Sequence, residues 1–116
     1  MYAAPSDQAA REEPYENTMF FFRRQAEMAR GGVVGGTVER RQSRVDKLAG
    51  LSYDEILTKR VAFGTASGLV ERLGRLRDDL GLNGVIAELN PGGMLSMEQM
   101  RRTLRILTHE VMPALR

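Results

Sequence analysis

Few side chains in this chain are equipped for chemistry. Cysteine is absent and His109 is the only histidine. That removes thiolate nucleophiles, cysteine metal sites and disulfides, and it argues against a histidine metal cluster or a Ser-His-Asp triad. What remains are two glycine-bearing turns. In Gly84-Val85-Ile86-Ala87-Glu88-Leu89-Asn90-Pro91-Gly92-Gly93, a carboxylate and a carboxamide end an apolar run and two glycines follow. Glu88, Asn90, Gly92 and Gly93 are candidates for the wall of a substrate pocket, with Asn90 offering hydrogen bonds and the glycines admitting a ligand closely. The same Asn-Pro-Gly-Gly also spells a tight turn that needs no ligand. In Val61-Ala62-Phe63-Gly64-Thr65, Gly64 and Thr65 are candidates for cofactor binding, because a strand-to-helix turn can present helix amides to a phosphate. No glycine-rich phosphate motif accompanies them, and Thr65 is better read as the cap of the helix that follows.

The other chemistry-bearing groups have plainer readings. Arg40, Arg41, Arg44 and Lys47 form the densest basic cluster, but Glu39 and Asp46 interleave with them and no aromatic platform lies nearby. A solvated segment explains the cluster better than a nucleic-acid patch. His109 falls off the apolar stripe of the last helix and receives no role. Phe20-Phe21-Phe22 reads as helix packing. Lys plus Arg total 17 against 15 acids, a net charge of only +2. The calculated pI of 9.4 therefore reflects arginine content and not a strong field, and nucleic acid is not expected as a partner. No apolar run approaches the length needed to span a bilayer, so no membrane association is expected. The first residues lack the basic and apolar regions of a signal peptide, so the expected compartment is the cytoplasm.

These residues must be positioned by a single small domain. The chain has 116 residues, with 42% hydrophobic and 28% charged, a globular balance too short for a large multi-layer core. Ser6-Asp7 is suited to cap a first helix, and Pro14 interrupts it. Tyr15, Met19, Phe22, Ala26 and Ala29 form a stripe at helical spacing that stops at Gly31-Gly32. Residues 31–50 read as a flexible insertion loop, in which Val38 to Leu48 is exposed loop or weak helix. Ser52 to Glu55 fits a capping box opening a helix to Arg60, and Val61-Ala62-Phe63 reads as a buried strand. A helix with Leu69, Leu73, Leu76 and Leu80 on one face follows and ends at Gly81. Gly84 to Leu89 reads as a strand buried on both faces. Ser96 to Gln99 is a second capping box, and the last helix carries Met97, Met100, Leu104, Leu107 and Val111 before stopping at Pro113. Two strands, each followed by an amphipathic helix, make a βα-βα pattern of the α/β class. Two short strands cannot close a barrel, and their faces need neighbours this chain does not supply.

Three blocks carry a resemblance. They are Arg60-Val61-Ala62-Phe63-Gly64-Thr65, the run from Asn83 to Gly93, and the end from Gln99-Met100-Arg101-Arg102-Thr103-Leu104 through Glu110-Val111-Met112-Pro113-Ala114-Leu115-Arg116. Together with Ala3-Ala4-Pro5-Ser6-Asp7 and Tyr15-Glu16-Asn17 upstream, they resemble the carboxy-terminal part of the bacterial luciferase-like, flavin-dependent monooxygenases. The resemblance rests on order and spacing over nearly all of 1–116. It implies an incomplete (β/α)8 TIM-barrel fragment, mainly helical by residue count. The chain would begin at the end of the sixth strand and supply the last two βα units plus a preceding helix. After Gly64-Thr65 the family places Pro and acidic residues where Ala66-Ser67-Gly68 stand here.

The same resemblance implies reduced FMN or a related flavin as the cofactor of the complete oxidoreductase. It places most flavin contacts in earlier strands that this chain lacks. No tight flavin binding and no independent catalysis are therefore expected, and no catalytic or metal-binding residue is assigned. The expected partner is the remainder of the barrel, in the same parent chain or a separate one; the family commonly forms dimers, which keeps a homodimer open. The alternative reading is a small helical interaction protein that binds a protein or nucleic-acid partner through its amphipathic helices.

Overall fold

The computed structural model describes residues 1–32 and 37–116. Its centre is a two-stranded parallel sheet in which β1 (Tyr2–Ala3) pairs with β2 (Phe63–Gly64), Tyr2 opposite Phe63 and Ala3 opposite Gly64. A parallel pair requires a crossover, and here four helices make it: α1 (Asp7–Glu12), α2 (Tyr15–Arg30), α3 (Val38–Ala49) and α4 (Tyr53–Lys59). After β2 come α5 (Ala66–Leu80) and α6 (Met97–Ile106), which continues through a π-helical turn at Leu107–Val111 into α7 (Met112–Leu115). The chain is mainly helical with an α/β centre.

The helix starts follow local chemistry. Ser6, Thr37, Ser52, Thr65 and Ser96 each accept an amide of the first turn with a side-chain oxygen. Both expected capping boxes form, Ser52 with Glu55 and Ser96 with Gln99. Pro14 is buried and separates α1 from α2. Gly81 ends α5 in the left-handed region, at φ 65°, which a glycine adopts without the Cβ penalty.

Four expectations are corrected. Within 31–50, expected as a flexible insertion loop with Val38 to Leu48 as exposed loop or weak helix, α3 forms a regular helix; Val33 to Gly36 of that stretch lie outside the described residues. Its stripe is Val38, Arg41, Val45 and Leu48. A half-buried arginine, Arg41, occupies an apolar position, which hides the period. Val45 is buried, and α3 lies along α2, where Ala26 and Ala29 are buried.

Secondly, the pairing of 61–63 is displaced to Phe63–Gly64, and its partner strand is at the amino end of the chain. Thirdly, Gly84 to Leu89 forms no strand among the described residues, and Ile86 is 100% exposed. Its composition suits a sheet interior, but among the described residues it pairs with no strand. Fourthly, Pro113 does not end the last helix but lies within it, at the second residue of α7 directly after the π-helical turn.

The core has two parts, one on each side of β1, as side-chain alternation along a strand demands. Ala3 packs with Leu69 and Leu73 of α5 and with Ile106, Leu107 and Val111; Tyr2 and Ala4 pack with Ala10 and Leu95. The expected stripes are only partly used. Leu76 and Leu80 remain exposed because α5 outruns the two-residue strands, and Met97 and Leu104 are exposed on α6. The buried face of α6 is rotated to Thr103, Ile106 and Leu107, because Thr103 docks on β1.

Candidate functional site

The carboxyl ends of parallel strands are where α/β sheets bind ligands, and here they border an open cleft of about 560 Å³. Pro5 follows β1 into it; Thr65 and Ser67 follow β2, and Glu110 enters from the π-helical turn. Thr65 is committed to capping, its Oγ1 accepting the Gly68 N–H at 3.3 Å and lying 3.3 Å from Ser67 Oγ. Gly64 is buried, and a Cβ there would meet only Leu69, at an ordinary 3.9 Å. The cleft thus offers hydroxyls, the first turn of α5 and one carboxylate.

No arginine or lysine lines this cleft, and the Glu110 carboxylate would repel a phosphate at the positive end of α5. The residues present therefore do not fit a flavin phosphate, and no chemical step is derived through a flavin. Among the described residues, no cluster of His, Asp or Glu is arranged to hold a metal.

The second candidate group lies elsewhere. Asn90 is held by its own loop: Oδ1 accepts the Leu95 N–H at 3.1 Å, Nδ2 lies 3.3 Å from Met100 Sδ, and its carbonyl accepts the Gly93 N–H at 3.1 Å. Gly92 makes its close approach to α2 and not to a ligand. A Cβ at Gly92 would sit 2.6 Å from Asn17 Oδ1 and closer still to the Asn17 carbonyl oxygen. Asn17 is 3% exposed and accepts the Met94 N–H at 2.9 Å. Gly93 has φ 73° and completes the turn. Of the four candidates only Glu88 lines a cleft, a separate one of about 260 Å³ walled by Tyr2, Phe21, Phe22, Phe63 and Ile86. Its carbonyl accepts the Met1 ammonium at 2.6 Å, and burial lowers the pKa of that amine.

Two arrangements escaped the sequence reading. Tyr2, Glu13 and Arg102 form a connected cluster: Tyr2 OH donates to Glu13, and Arg102 donates to Glu13 and, at 2.9 Å, to Tyr2. Burial, with help from the Glu13 carboxylate, pushes the Tyr2 phenol up to about 12. Arg102 Nε is buried with no partner among the described residues. Thr103 is the other. Its hydroxyl accepts the Ala3 N–H at 3.3 Å and donates to the Ala3 carbonyl at 3.0 Å, on the edge of β1 that faces away from β2. Tyr2 lies 100 positions from Arg102, and Ala3 100 from Thr103, so no local pattern could reveal either.

His109 is exposed on the π-helical turn, and the basic residues Arg40, Arg44 and Lys47 are exposed on α3. No helix among the described residues is long and apolar enough to cross a membrane. Compared with known families, curated proteins and solved structures, the chain matches none.

Proposed function

We propose that this chain is the carboxy-terminal portion of a luciferase-like flavin-dependent monooxygenase, an oxidoreductase that incorporates molecular oxygen, and that it is not catalytic alone. The observation that carries the reading is the parallel pairing of Tyr2–Ala3 with Phe63–Gly64 across an all-helical crossover, with a helix following β2. This is how consecutive βα units of a barrel are connected. The strand-like run Gly84 to Leu89, wet and unpaired, adds support, because its composition suits a buried position between neighbours. The carboxyl-end cleft lacks the basic groups a flavin phosphate needs, which fits a part that borrows its cofactor site from the remainder of the barrel. Here the chain's own contribution is one sector of wall: Thr65 and Ser67 hydroxyls and the Glu110 carboxylate.

A second reading, the small helical interaction protein, is favoured by one specific feature. In a closed barrel β1 would have a strand on each side, but here Thr103 occupies the edge opposite β2. The two readings separate by the intact mass of the protein in its own cells, detected through peptides of the last helix. The monooxygenase reading expects a species several times 13.0 kDa, or a stable complex showing flavin absorbance. A free chain of 13.0 kDa with no flavin-bearing companion refutes it.

A further inference from the structure

Two polar side chains buried on α2 are left short of hydrogen bonds. Asn17 and Thr18 are each 3% exposed. Asn17 spends its Oδ1 on the Met94 N–H, and its Nδ2 donates to no described residue. The Thr18 N–H bonds the Pro14 carbonyl at 2.9 Å, but its hydroxyl has no partner among the described residues. Buried polar groups are almost always satisfied, so two adjacent exceptions require a reason. Neither group is sealed inside the protein, because among the described residues the one side-chain polar atom both sealed and unpartnered is Arg102 Nε. Both residues line the cleft of about 260 Å³ that borders Tyr2 and Phe63, and that is the space onto which their free groups open.

We propose that this cleft binds a small, uncharged aromatic carbonyl compound, its ring among Tyr2, Phe21, Phe22 and Phe63 and its carbonyl oxygen on the Thr18 hydroxyl and the Asn17 amide. The walls favour a flat aromatic occupant, which such rings contact edge to face. Tyr2 and Phe63 already meet in that way, at 6.0 Å and 70°, as do Phe21 and Phe22, at 5.4 Å and 80°. The free groups ask for an acceptor, since an amide Nδ2 only donates and a hydroxyl is able to. A carbonyl oxygen has two lone pairs, one for each. The Tyr2 phenol does not compete, being bonded to Glu13 and Arg102.

Charge and size narrow the occupant further. Arg60 and Glu88, the charged side chains on the lining, are exposed and opposite in sign, and the Met1 ammonium is taken by the Glu88 carbonyl. A ligand charge carried down to Asn17 and Thr18 would leave water without a partner, which is expensive. The volume lies below the roughly 300 Å³ at which pockets for drug-sized ligands begin, so it suits a single ring with a short substituent. The groups that select the ligand come from α2, β1 and β2. None comes from Gly84 to Leu89, whose main chain stays free for the pairing a barrel would give it. The site involves no flavin and is separate from the cleft at Thr65 and Glu110, so its failure leaves the monooxygenase reading standing, and the reverse holds too.

NMR titration of the isotope-labelled full chain with acetophenone, ethylbenzene and benzoate tests it, together with Thr18→Val. Valine keeps the shape of threonine and removes only the hydroxyl. Because that hydroxyl serves nothing in the fold, Thr18→Val melts no lower than the parent. Acetophenone is expected to shift the Asn17 side-chain amide and the Phe21 and Phe22 rings, with a dissociation constant of about 1 mM. Thr18→Val weakens acetophenone about fivefold, the worth of one net hydrogen bond, and leaves ethylbenzene, which has no acceptor, unchanged. Benzoate binds at least about tenfold more weakly than acetophenone. The proposal is overturned by an absence of shifts at Asn17, Phe21 and Phe22 up to about 10 mM acetophenone, or by a Thr18→Val variant that melts lower. Equal effects of Thr18→Val on acetophenone and ethylbenzene, or benzoate binding as tightly as acetophenone, overturn it as well.

Discussion

Thr103→Val isolates the contact that closes one edge of the sheet. Thr103 is 1% exposed and Ala3 is 0% exposed, and one hydroxyl serves both main-chain groups of Ala3, at 3.3 and 3.0 Å. Valine keeps the shape and removes both bonds, leaving a buried N–H and a buried C=O unsatisfied at about 1–3 kcal/mol each. The added methyl returns about 0.8 kcal/mol of apolar burial. The net loss is about 1–5 kcal/mol, a large share of the roughly 5–15 kcal/mol that holds a domain together. Thr103→Ser keeps the hydroxyl and deletes one methyl, which costs about 1 kcal/mol. Urea unfolding of the three proteins gives the ranking, and amide exchange at Ala3 shows whether β1 is the part released. The expected order of stability is Thr, Ser, Val, with the Ala3 amide exchanging fastest in the valine protein. A valine protein within about 0.5 kcal/mol of the parent, or more stable than the serine one, refutes the reasoning.

Gly92→Ala should destabilise by about 1–3 kcal/mol, because the new Cβ meets Asn17 main chain that cannot swing aside. Gly84→Ala, with nothing within 4 Å, should change urea unfolding by less than about 0.5 kcal/mol. Burial holds the Tyr2 phenol at about 12, above its ordinary 10.0, so the folded chain binds that proton more tightly than the unfolded one. Stability is fully present below pH 10 and declines as pH rises from 10 toward 12; Tyr2→Phe should flatten that decline and remove one late phenolate from an ultraviolet titration. Tyr53, also raised to about 12 by burial, should account for a second late phenolate. The Ser52 N–H and hydroxyl hold the Glu55 carboxyl below 4.5. Its stabilisation of α4 is present above that value and lost as pH falls through the lowered one, and carboxyl NMR titration should place its midpoint under 4.5.

What was legible in the sequence was local. Ser6, Ser52, Thr65, Ser96 and Gly81 announce helix ends because a cap is chosen by a side chain's own oxygen, or lack of a Cβ, within three or four residues. The turn at Asn90 to Gly93 was legible for the same reason. The candidate site was not, because Glu88 and Asn90 are neighbours in sequence with different duties. Asn90 is spent on Leu95 and Met100, and Glu88 is left on a cleft wall. The α3 stripe was hidden by Arg41 standing at an apolar position, and the stripe of α6 was misplaced because its buried face centres on a threonine.

The amino-acid sequence by itself determined where helices begin, where turns fall and which runs are apolar enough to seek burial, since those follow from short-range hydrogen bonding and side-chain type. Only the tertiary structure decided which runs obtain that burial. Val85 and Ile86 are among the chain's more strand-like residues and remain in water, while Tyr2 and Ala3, two residues with no neighbouring pattern, become the centre of the core. A strand exists through its partner, and the partners here, Gly64 on one edge and Thr103 on the other, are supplied from 61 and 100 residues away.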